Sequence, residues 1–147
     1  MSGIPFPGMG STDGDAGGFR SIGPHHVWVE RPDVLHTRTD GDITGEHVRG
    51  LLETLDALPR DRRMYVLRDA RRASFPTREA RALLVKHLPL DRIAAVVSYG
   101  ASFQARTLLT MLDHAMRVLR PRSIHFVFVE TEAQARAFIE TDRTRRA

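Results

Sequence analysis

The sequence predicts one α/β domain: a mostly parallel five-stranded sheet with one antiparallel edge strand, and four helices. Short β-rich runs alternate with amphipathic segments, the pattern of parallel strands joined by crossover helices. Two of the later runs are almost wholly apolar, which is typical of strands buried on both faces. Only a turn separates the first two runs, and this predicts an antiparallel hairpin at one edge. The order is therefore β-β-α-β-α-β-α-β-α, with helices on both faces of the sheet.

The strands are predicted from local apolar patterns. A hairpin covers residues 25–30 and 34–39, and the alternation of its second strand indicates a half-exposed position. Three internal strands are predicted at residues 63–69, 93–97 and 124–129. The expected centre of the core is Val66, Leu67, Val96, Val97, Phe126 and Val127.

The helices are predicted from capping residues and helical spacing. Asp42 or Thr44 can cap a first helix over residues 45–58, and a second covers residues 77–88. Ser102 caps a long third helix that ends at about residue 119, and a fourth covers residues 131–141.

Three zones differ in composition along the chain. Residues 1–23 hold seven of the 11 glycines and few large apolar side chains, so we expect a disordered tail. Residues 24–142 form the predicted domain. The Arg-rich end, residues 143–147, is expected to fray.

Composition excludes several classes of protein. The 147 residues include no cysteine, which excludes disulfide scaffolds and thiolate metal sites. No apolar run approaches the roughly 18 residues of a membrane span, and no signal-peptide pattern opens the chain, so we expect a cytoplasmic protein. Of the 22 basic residues only Lys86 is a lysine, and the arginines are scattered among 18 acidic residues. This interleaving argues against nucleic-acid binding, which needs a contiguous basic surface.

Polar residues are expected to converge where the parallel strands end, because ligands of open α/β sheets bind outside the carboxyl ends of the strands. The predicted rim for a ligand or partner consists of Asp69, Ser74, Thr77, Ser98, Gly100, Ser102 and Phe103. A functional interpretation makes Asp69 an acid or a hydrogen-bond acceptor that acts with the loop 98–100 on a small anionic substrate. The structural interpretation is that the Asp and Ser residues at the strand ends cap loops and helices.

No motif for catalysis or for a cofactor emerges. The loop 98–102 has one glycine and no lysine, so it matches neither the Walker A nor the dinucleotide pattern. No two histidines stand at helical ligand spacing, and there is no Gly-x-Ser-x-Gly elbow. We therefore predict no metal, no cofactor and no catalytic residue.

Two features indicate regulation or binding. Arg71 and Arg72 precede Ser74 in a loose kinase-site pattern, and a phosphate near a helix N-terminus is electrostatically tolerated. The helix from Ser102 has an apolar arc wider than one packed face requires, so it is either buried on two sides or offers surface to a protein, a second copy or a lipid.

Several strings resemble a known family. Residues 25–58, with the step Gly41-Asp42-Ile43-Thr44, resemble the opening of bacterial STAS-like proteins (sulfate transporter and anti-sigma-factor antagonist domains). The similarity is to the branch of the sporulation anti-sigma-factor antagonist and the CRAL-TRIO-type fold. A strand that ends in Asp69, residues 93–112 and residues 126–139 continue the match.

This resemblance implies a non-enzymatic binding or regulatory domain that acts through a protein partner or a small apolar ligand. It also implies a phosphoacceptor after the third predicted strand, where Ser74 or Thr77 stands. The Ser-Ser-Gly core of the family's phosphorylated stretch is missing, which fits the looser STAS-like branch.

Overall fold

The computed structural model describes residues 19–30, 32–120 and 125–146. Its strands are β1 (Phe19–Ile22), β2 (His25–Glu30), β3 (Val34–Ile43), β4 (Met64–Pro76), β5 (Ile93–Tyr99) and β6 (His125–Val129). Its helices are α1 (Gly45–Asp56), α2 (Arg78–His87), α3 (Phe103–Leu119) and α4 (Glu132–Arg146). The predicted α/β class and the four helices are confirmed.

The sheet has six strands that lie in chain order from β1 to β6. β1 and β2 pair antiparallel, as do β2 and β3, and β3 to β6 are parallel. The predicted five strands are therefore one too few. The additional strand is β1, whose residues the sequence placed in the disordered tail.

β1 is held by partners that lie far along the chain. The Phe19 ring stacks on Trp28 with 6.2 Å between ring centroids, and Ile22 is buried. Arg20 Nη1 donates to the Gly50 carbonyl of α1 at 3.2 Å. The glycine-rich composition of residues 1–23 did not indicate this strand, because its four residues are held by contacts with Trp28 and α1, which lie later in the chain. Residues 1–18, the rest of the predicted tail, lie outside the described residues.

Removing β1 is expected to destabilise the domain. A chain that begins at Pro24 loses the buried Ile22 side chain and the Arg20 contacts with α1, so its thermal melting temperature should fall by several degrees. A chain that begins at Phe19 is the matched control and should melt close to the full-length protein. Equal melting temperatures for the two truncated chains would show that β1 contributes nothing.

Three helices cover one face of the sheet and one helix covers the other. Consecutive parallel strands that are added in one direction, each with a right-handed crossover, place every crossover helix on the same side. Residues of α1, α2 and α3 accordingly share one core cluster with the sheet. α4 follows the last strand and packs through Ala135 and Ile139 on the opposite face.

β4 is longer than predicted. It continues past Asp69 to Pro76, because β3 runs beside it as far as the pair Ile43 and Pro76, with two register shifts. Ser74 consequently lies within a strand and not at the start of a helix. Arg71 and Arg72 of the predicted kinase-site pattern are both exposed on this strand extension.

β6 is an edge strand, not an internal one. It pairs only with β5 among the described residues, so Phe126 and Val127 are half-buried and His125 is exposed. The prediction that these residues form the core centre is wrong for β6 and holds for Val66, Leu67, Val96 and Val97. Residue 124, the predicted start of this strand, lies outside the described residues.

The basic end does not fray where the sequence predicted. α4 continues through Arg146, and Arg143 Nη2 lies 2.6 Å from Asp33 Oδ1. Asp142, which is 1% exposed, binds Arg146 Nε at 2.6 Å. The Arg143–Asp33 pair connects the last turn of α4 to the turn before β3, and the Asp142–Arg146 pair lies within the helix. Ala147 lies outside the described residues.

Candidate functional site

A cavity of about 140 Å³ lies between the sheet and the helices α1, α2 and α3. The largest part of its lining is apolar and comes from α1, α2 and α3 and from all six strands. Representative lining residues are Val27, Leu55, Val66, Leu84, Val96, Leu109, Leu112 and Met116. A space of this size inside the main core of a small domain is unusual, because interiors are close-packed and tolerate few voids larger than a water molecule.

Arg68 is the most unusual member of this lining. It follows the apolar residues 64–67 of β4, and Val66, on the same face of the strand, also lines the cavity. Its Nη1 atom is shielded from solvent and has no hydrogen-bond partner among the described residues. Burial lowers the pKa of Arg68 to about 10, and the charge of Asp69 offsets only part of that effect. The guanidinium is still charged at neutral pH, so a cation without a bound counter-charge lies beside the cavity.

Two hydroxyl residues flank Arg68 across the sheet. Thr37 of β3 and Ser98 of β5 are its register partners, so the three side chains form one row on the face covered by α1, α2 and α3. Thr37 also lines the cavity. Ser98 is fully buried, and its Oγ has no hydrogen-bond partner among the described residues. One row of the sheet thus holds two shielded polar atoms that the described chain leaves unsatisfied.

A histidine pair lies at another part of the lining. His25 Nε2 is 3.1 Å from His47 Nδ1 and 2.9 Å from the Asp42 carbonyl oxygen, and the Asp40 backbone N–H donates to His25 Nδ1 at 3.0 Å. His47 Nδ1 also accepts from the Thr44 backbone N–H, which closes the capping box of α1. Because His25 Nδ1 is an acceptor here, the neutral ring with its proton on Nε2 fits the site.

Acidification is expected to destabilise the protein through His25. Burial and the neighbouring His47 lower the pKa of His25 below 6.5, against the raising effect of the Asp42 carbonyl. The unfolded chain therefore binds a proton more readily. The stability contributed by the neutral ring is complete above about pH 6.5 and is lost as the pH falls toward the folded-state pKa. The urea midpoint should decrease between about pH 7.5 and pH 5.

His25→Asn is expected to reduce this pH dependence, because the amide oxygen replaces Nδ1 as the acceptor for Asp40 without titrating. Part of the dependence should remain, since burial also lowers the pKa of His36. His114→Asn, at an exposed position of α3, is the control. An unchanged pH profile in the His25 variant would contradict this account.

The predicted rim residues do not converge on one site. Asp69 is buried on the face opposite Arg68, where it accepts from Arg71 Nε at 3.0 Å and from Arg71 Nη2 at 2.8 Å. Burial favours its neutral form, but these bonds outweigh that effect and lower the pKa of Asp69. Gly100, with a φ of +75°, lies against Arg71, whose Cγ would be 2.3 Å from an added Cβ. Asp69 and Arg71 form an ion pair beside Tyr99, and we call this pair the ion-paired corner.

The other rim residues have separate surroundings. Ser74 is half-buried and lines the cavity. Thr77 and Ser102 cap α2 and α3, since their hydroxyls accept from the backbone N–H groups of Ala80 at 3.2 Å and Ala105 at 3.1 Å. The Ser102 contact confirms the predicted cap of α3, whereas Thr77, predicted as the first residue of the second helix, is the cap of α2. Phe103 is 78% exposed and borders a surface depression that shares Phe75 and Leu108 with the cavity.

Sequence reasoning missed Arg68, Thr37 and the histidine pair. A signal for Arg68 was present, because this arginine directly follows the apolar run 64–67 within a strand that was predicted to be covered on both faces. Thr37 and His25 gave no such signal, since their place beside the cavity depends on strand order and register.

In the part of the chain that the structure describes, no group of three or more His, Cys, Asp or Glu side chains could hold a metal ion. No helix within the described ranges combines the length and apolar character needed to span a membrane.

The comparisons with known proteins identify the fold. No protein-family profile and no curated protein matches the chain. The chain is similar to the crystal structure of an uncharacterized DUF3478-family protein with a SpoIIAA-like fold from Shewanella loihica. The two are 19% identical with a TM-score of 0.52, and the match covers 89% of this chain and 98% of that chain. This chain therefore has a SpoIIAA-like α/β fold, which confirms the predicted resemblance at the level of the fold.

Proposed function

We propose that this protein is a non-enzymatic binding module that holds a small apolar ligand in the cavity between the sheet and α1 to α3. The observation that carries the proposal is the cavity itself, with a volume of about 140 Å³ and a mainly apolar lining. Apolar cavities of roughly 150 Å³ stay dry and take up molecules such as benzene. A ligand with about six carbon atoms therefore matches the space.

The competing enzyme hypothesis depends on Asp69 as an acid. A general acid needs a raised pKa, but the bonds from Arg71 lower the pKa of this carboxyl. Arg71 also covers both carboxylate oxygens, since Nε binds one and Nη2 binds the other. The ion-paired corner is thus arranged as a structural contact, which favours the binding module over catalysis at the strand ends.

The experiment uses 1-hexanol as a neutral six-carbon probe and follows its binding by NMR titration. The methyl signals of cavity residues such as Val96 and Leu112 should shift, and the melting temperature should rise with the concentration of 1-hexanol. Leu109→Trp should block binding because Leu109 is half-buried and lines the cavity. Leu119→Trp is the matched control on the same helix, where Leu119 is 66% exposed. Absence of saturable binding by six-carbon probes, charged or neutral, would refute the proposal.

A second candidate function is self-association through α3. Phe103, Met111 and Val118 are 78%, 62% and 84% exposed, which leaves one helix with an uncovered apolar surface. Such a surface is typical of interaction sites. Sedimentation of the wild type as a dimer, and of a Met111→Ser and Val118→Ser double variant as a monomer, would support it. A monomeric wild type would refute it.

Phosphorylation at Ser74 or Thr77 is part of the same proposal as a regulatory step. Thr77 is exposed at the start of α2, where a phosphate meets the positive end of the helix dipole. Ser74 lines the cavity, so a phosphate there would occupy the proposed ligand site. The two positions therefore predict different effects: Ser74→Glu should weaken the binding of 1-hexanol, and Thr77→Glu should leave it unchanged.

A further inference from the structure

Arg68 is the charged side chain that faces the cavity. Among the described residues the lining includes no aspartate or glutamate, and Arg38, which also borders the cavity, directs its guanidinium to Asp69 on the opposite face of the sheet. Asp69 follows Arg68 directly, yet successive strand residues point to opposite faces, and its carboxylate is bound by Arg71. The Arg68 guanidinium is therefore left without a carboxylate partner on its own side of the sheet.

An unpaired buried cation is costly, so a protein normally supplies it with a counter-charge or hydrogen bonds. The shielded Nη1 of Arg68 receives neither from the described chain. A bound anion would supply both, because a carboxylate oxygen accepts a charge-assisted hydrogen bond from a guanidinium.

We infer that the ligand of this cavity is a small apolar monocarboxylic acid whose carboxylate pairs with Arg68. The inference rests on the proposed function and adds the chemical class of the ligand. The mainly apolar lining accommodates the hydrocarbon part, and Thr37 and Arg68, which are neighbours in register and both line the cavity, accommodate the acid group.

The hydroxyls in this row complement a carboxylate, which has about four acceptor positions. Thr37 and Arg68 both line the cavity and are direct neighbours across β3 and β4. Ser98 stands on the other side of Arg68, with an Oγ that no described group satisfies. A neutral alcohol would leave the charge of Arg68 uncompensated, and an amine would be repelled by it.

The apolar part of the ligand distinguishes this class from a free inorganic or two-carbon anion. Arg68 lies among side chains such as Val66, Val96 and Leu112, which line the same space. An anion without a hydrocarbon chain would leave most of this apolar surface unfilled. Phe75 and Leu108 border both the cavity and the surface depression near Phe103, so a longer chain has a direction in which to extend.

The test compares hexanoate, 1-hexanol and acetate by NMR titration at about pH 7 on the full chain. The wild type should bind hexanoate about tenfold or more tightly than 1-hexanol, which is the range expected for a hydrogen bond to a charged group. Acetate should bind much more weakly than hexanoate. Arg68→Met should bind hexanoate no better than 1-hexanol while it keeps its affinity for 1-hexanol.

Arg38→Met is the matched control, because Arg38 pairs in register with Asp69 on the opposite face of the sheet and its Nε lies 3.7 Å from Asp69 Oδ2. It should retain the preference for hexanoate. Arg68→Met should melt at or above the wild-type temperature without ligand, since it removes a charged group whose shielded Nη1 has no hydrogen-bond partner among the described residues. Should it fail to fold, Arg68→Gln provides the same comparison.

Three results would overturn the inference: equal wild-type affinities for hexanoate and 1-hexanol, a preference for hexanoate that survives in the Arg68 variant, or acetate binding as tight as that of hexanoate. None of these three results by itself refutes the proposed function, because binding of 1-hexanol to the cavity tests that function separately. Failure of both six-carbon probes to bind would refute the proposed function as well.

Discussion

Leu67→Ala is expected to lower the free energy of unfolding by about 2–5 kcal/mol, the usual range for truncating a fully buried leucine. Leu67 is 0% exposed in β4, where the sheet is covered by α4. His36 of β3 and Val97 of β5 are its neighbours in register. With strands on both sides and a helix above, the surroundings cannot collapse into the space that the leucine leaves. Urea unfolding at neutral pH measures the loss.

Phe126→Ala is the comparison for this prediction. A fully buried phenylalanine would cost about 3–5 kcal/mol on truncation. Phe126 is only half-buried on the edge strand β6, so its removal should cost less than that of Leu67. A larger loss for Phe126 than for Leu67 would mean that β6 is covered by something that the described residues do not include.

Asp142→Ala is expected to lower the free energy of unfolding by about 1–3 kcal/mol, the cost of leaving a buried hydrogen-bonding group unsatisfied. The Asp142 side chain is 1% exposed and accepts a hydrogen bond from the Tyr65 hydroxyl at 2.7 Å. It also binds Arg145 and Arg146 in the last turn of α4. The variant leaves the buried Tyr65 hydroxyl without this acceptor and releases the end of the helix.

A double-mutant cycle with Tyr65→Phe isolates the buried bond. If the hydrogen bond carries the effect, Tyr65→Phe should cost less in the Asp142→Ala background than in the wild type. Equal costs in both backgrounds would assign the loss to the arginine contacts of α4.

The same carboxylate predicts acid sensitivity. Burial opposes its charge, but bonds from Tyr65, Arg146 and Arg145 prevail and lower the pKa of Asp142 from 3.8 to about 2. Its contribution to stability is therefore present above about pH 4 and is lost as the pH falls toward 2. This loss lies well below the one expected for His25, so the two can be separated by comparing Asp142→Ala with His25→Asn across the pH range.

Patterns that are local in sequence predicted much of the fold. The apolar run of β5 is buried at every residue, because strands between two others need apolar side chains on both faces. Thr44, Thr77 and Ser102 cap their helices because a hydroxyl reaches a backbone N–H three residues later. A capping residue and the amphipathic segment that follows it are adjacent in the sequence. The start of a helix can therefore be predicted without the structure.

The local patterns could not predict which strand lies at the edge of the sheet or that β1 exists, and both depend on the order of the strands. The apolar sequence of β6 resembles that of β5, but only the completed sheet places β5 between two strands and β6 at the edge. β1 has four residues, and Trp28 and Gly50, which hold it, belong to other elements. Neither result follows from a window of sequence, since the deciding contacts lie across the sheet or on a helix.

The candidate site shows the same division. The sequence by itself determined the α/β class, the Ser102 cap and an internal strand that includes Arg63 and Arg68. Only the tertiary structure decided that three helices share one face, that a cavity remains beneath them, and that Arg68 lies between Thr37 and Ser98 on that face. The physical reason is that unfilled volume and an unsatisfied charge are properties of what surrounds a side chain, and those surroundings come from distant parts of the chain.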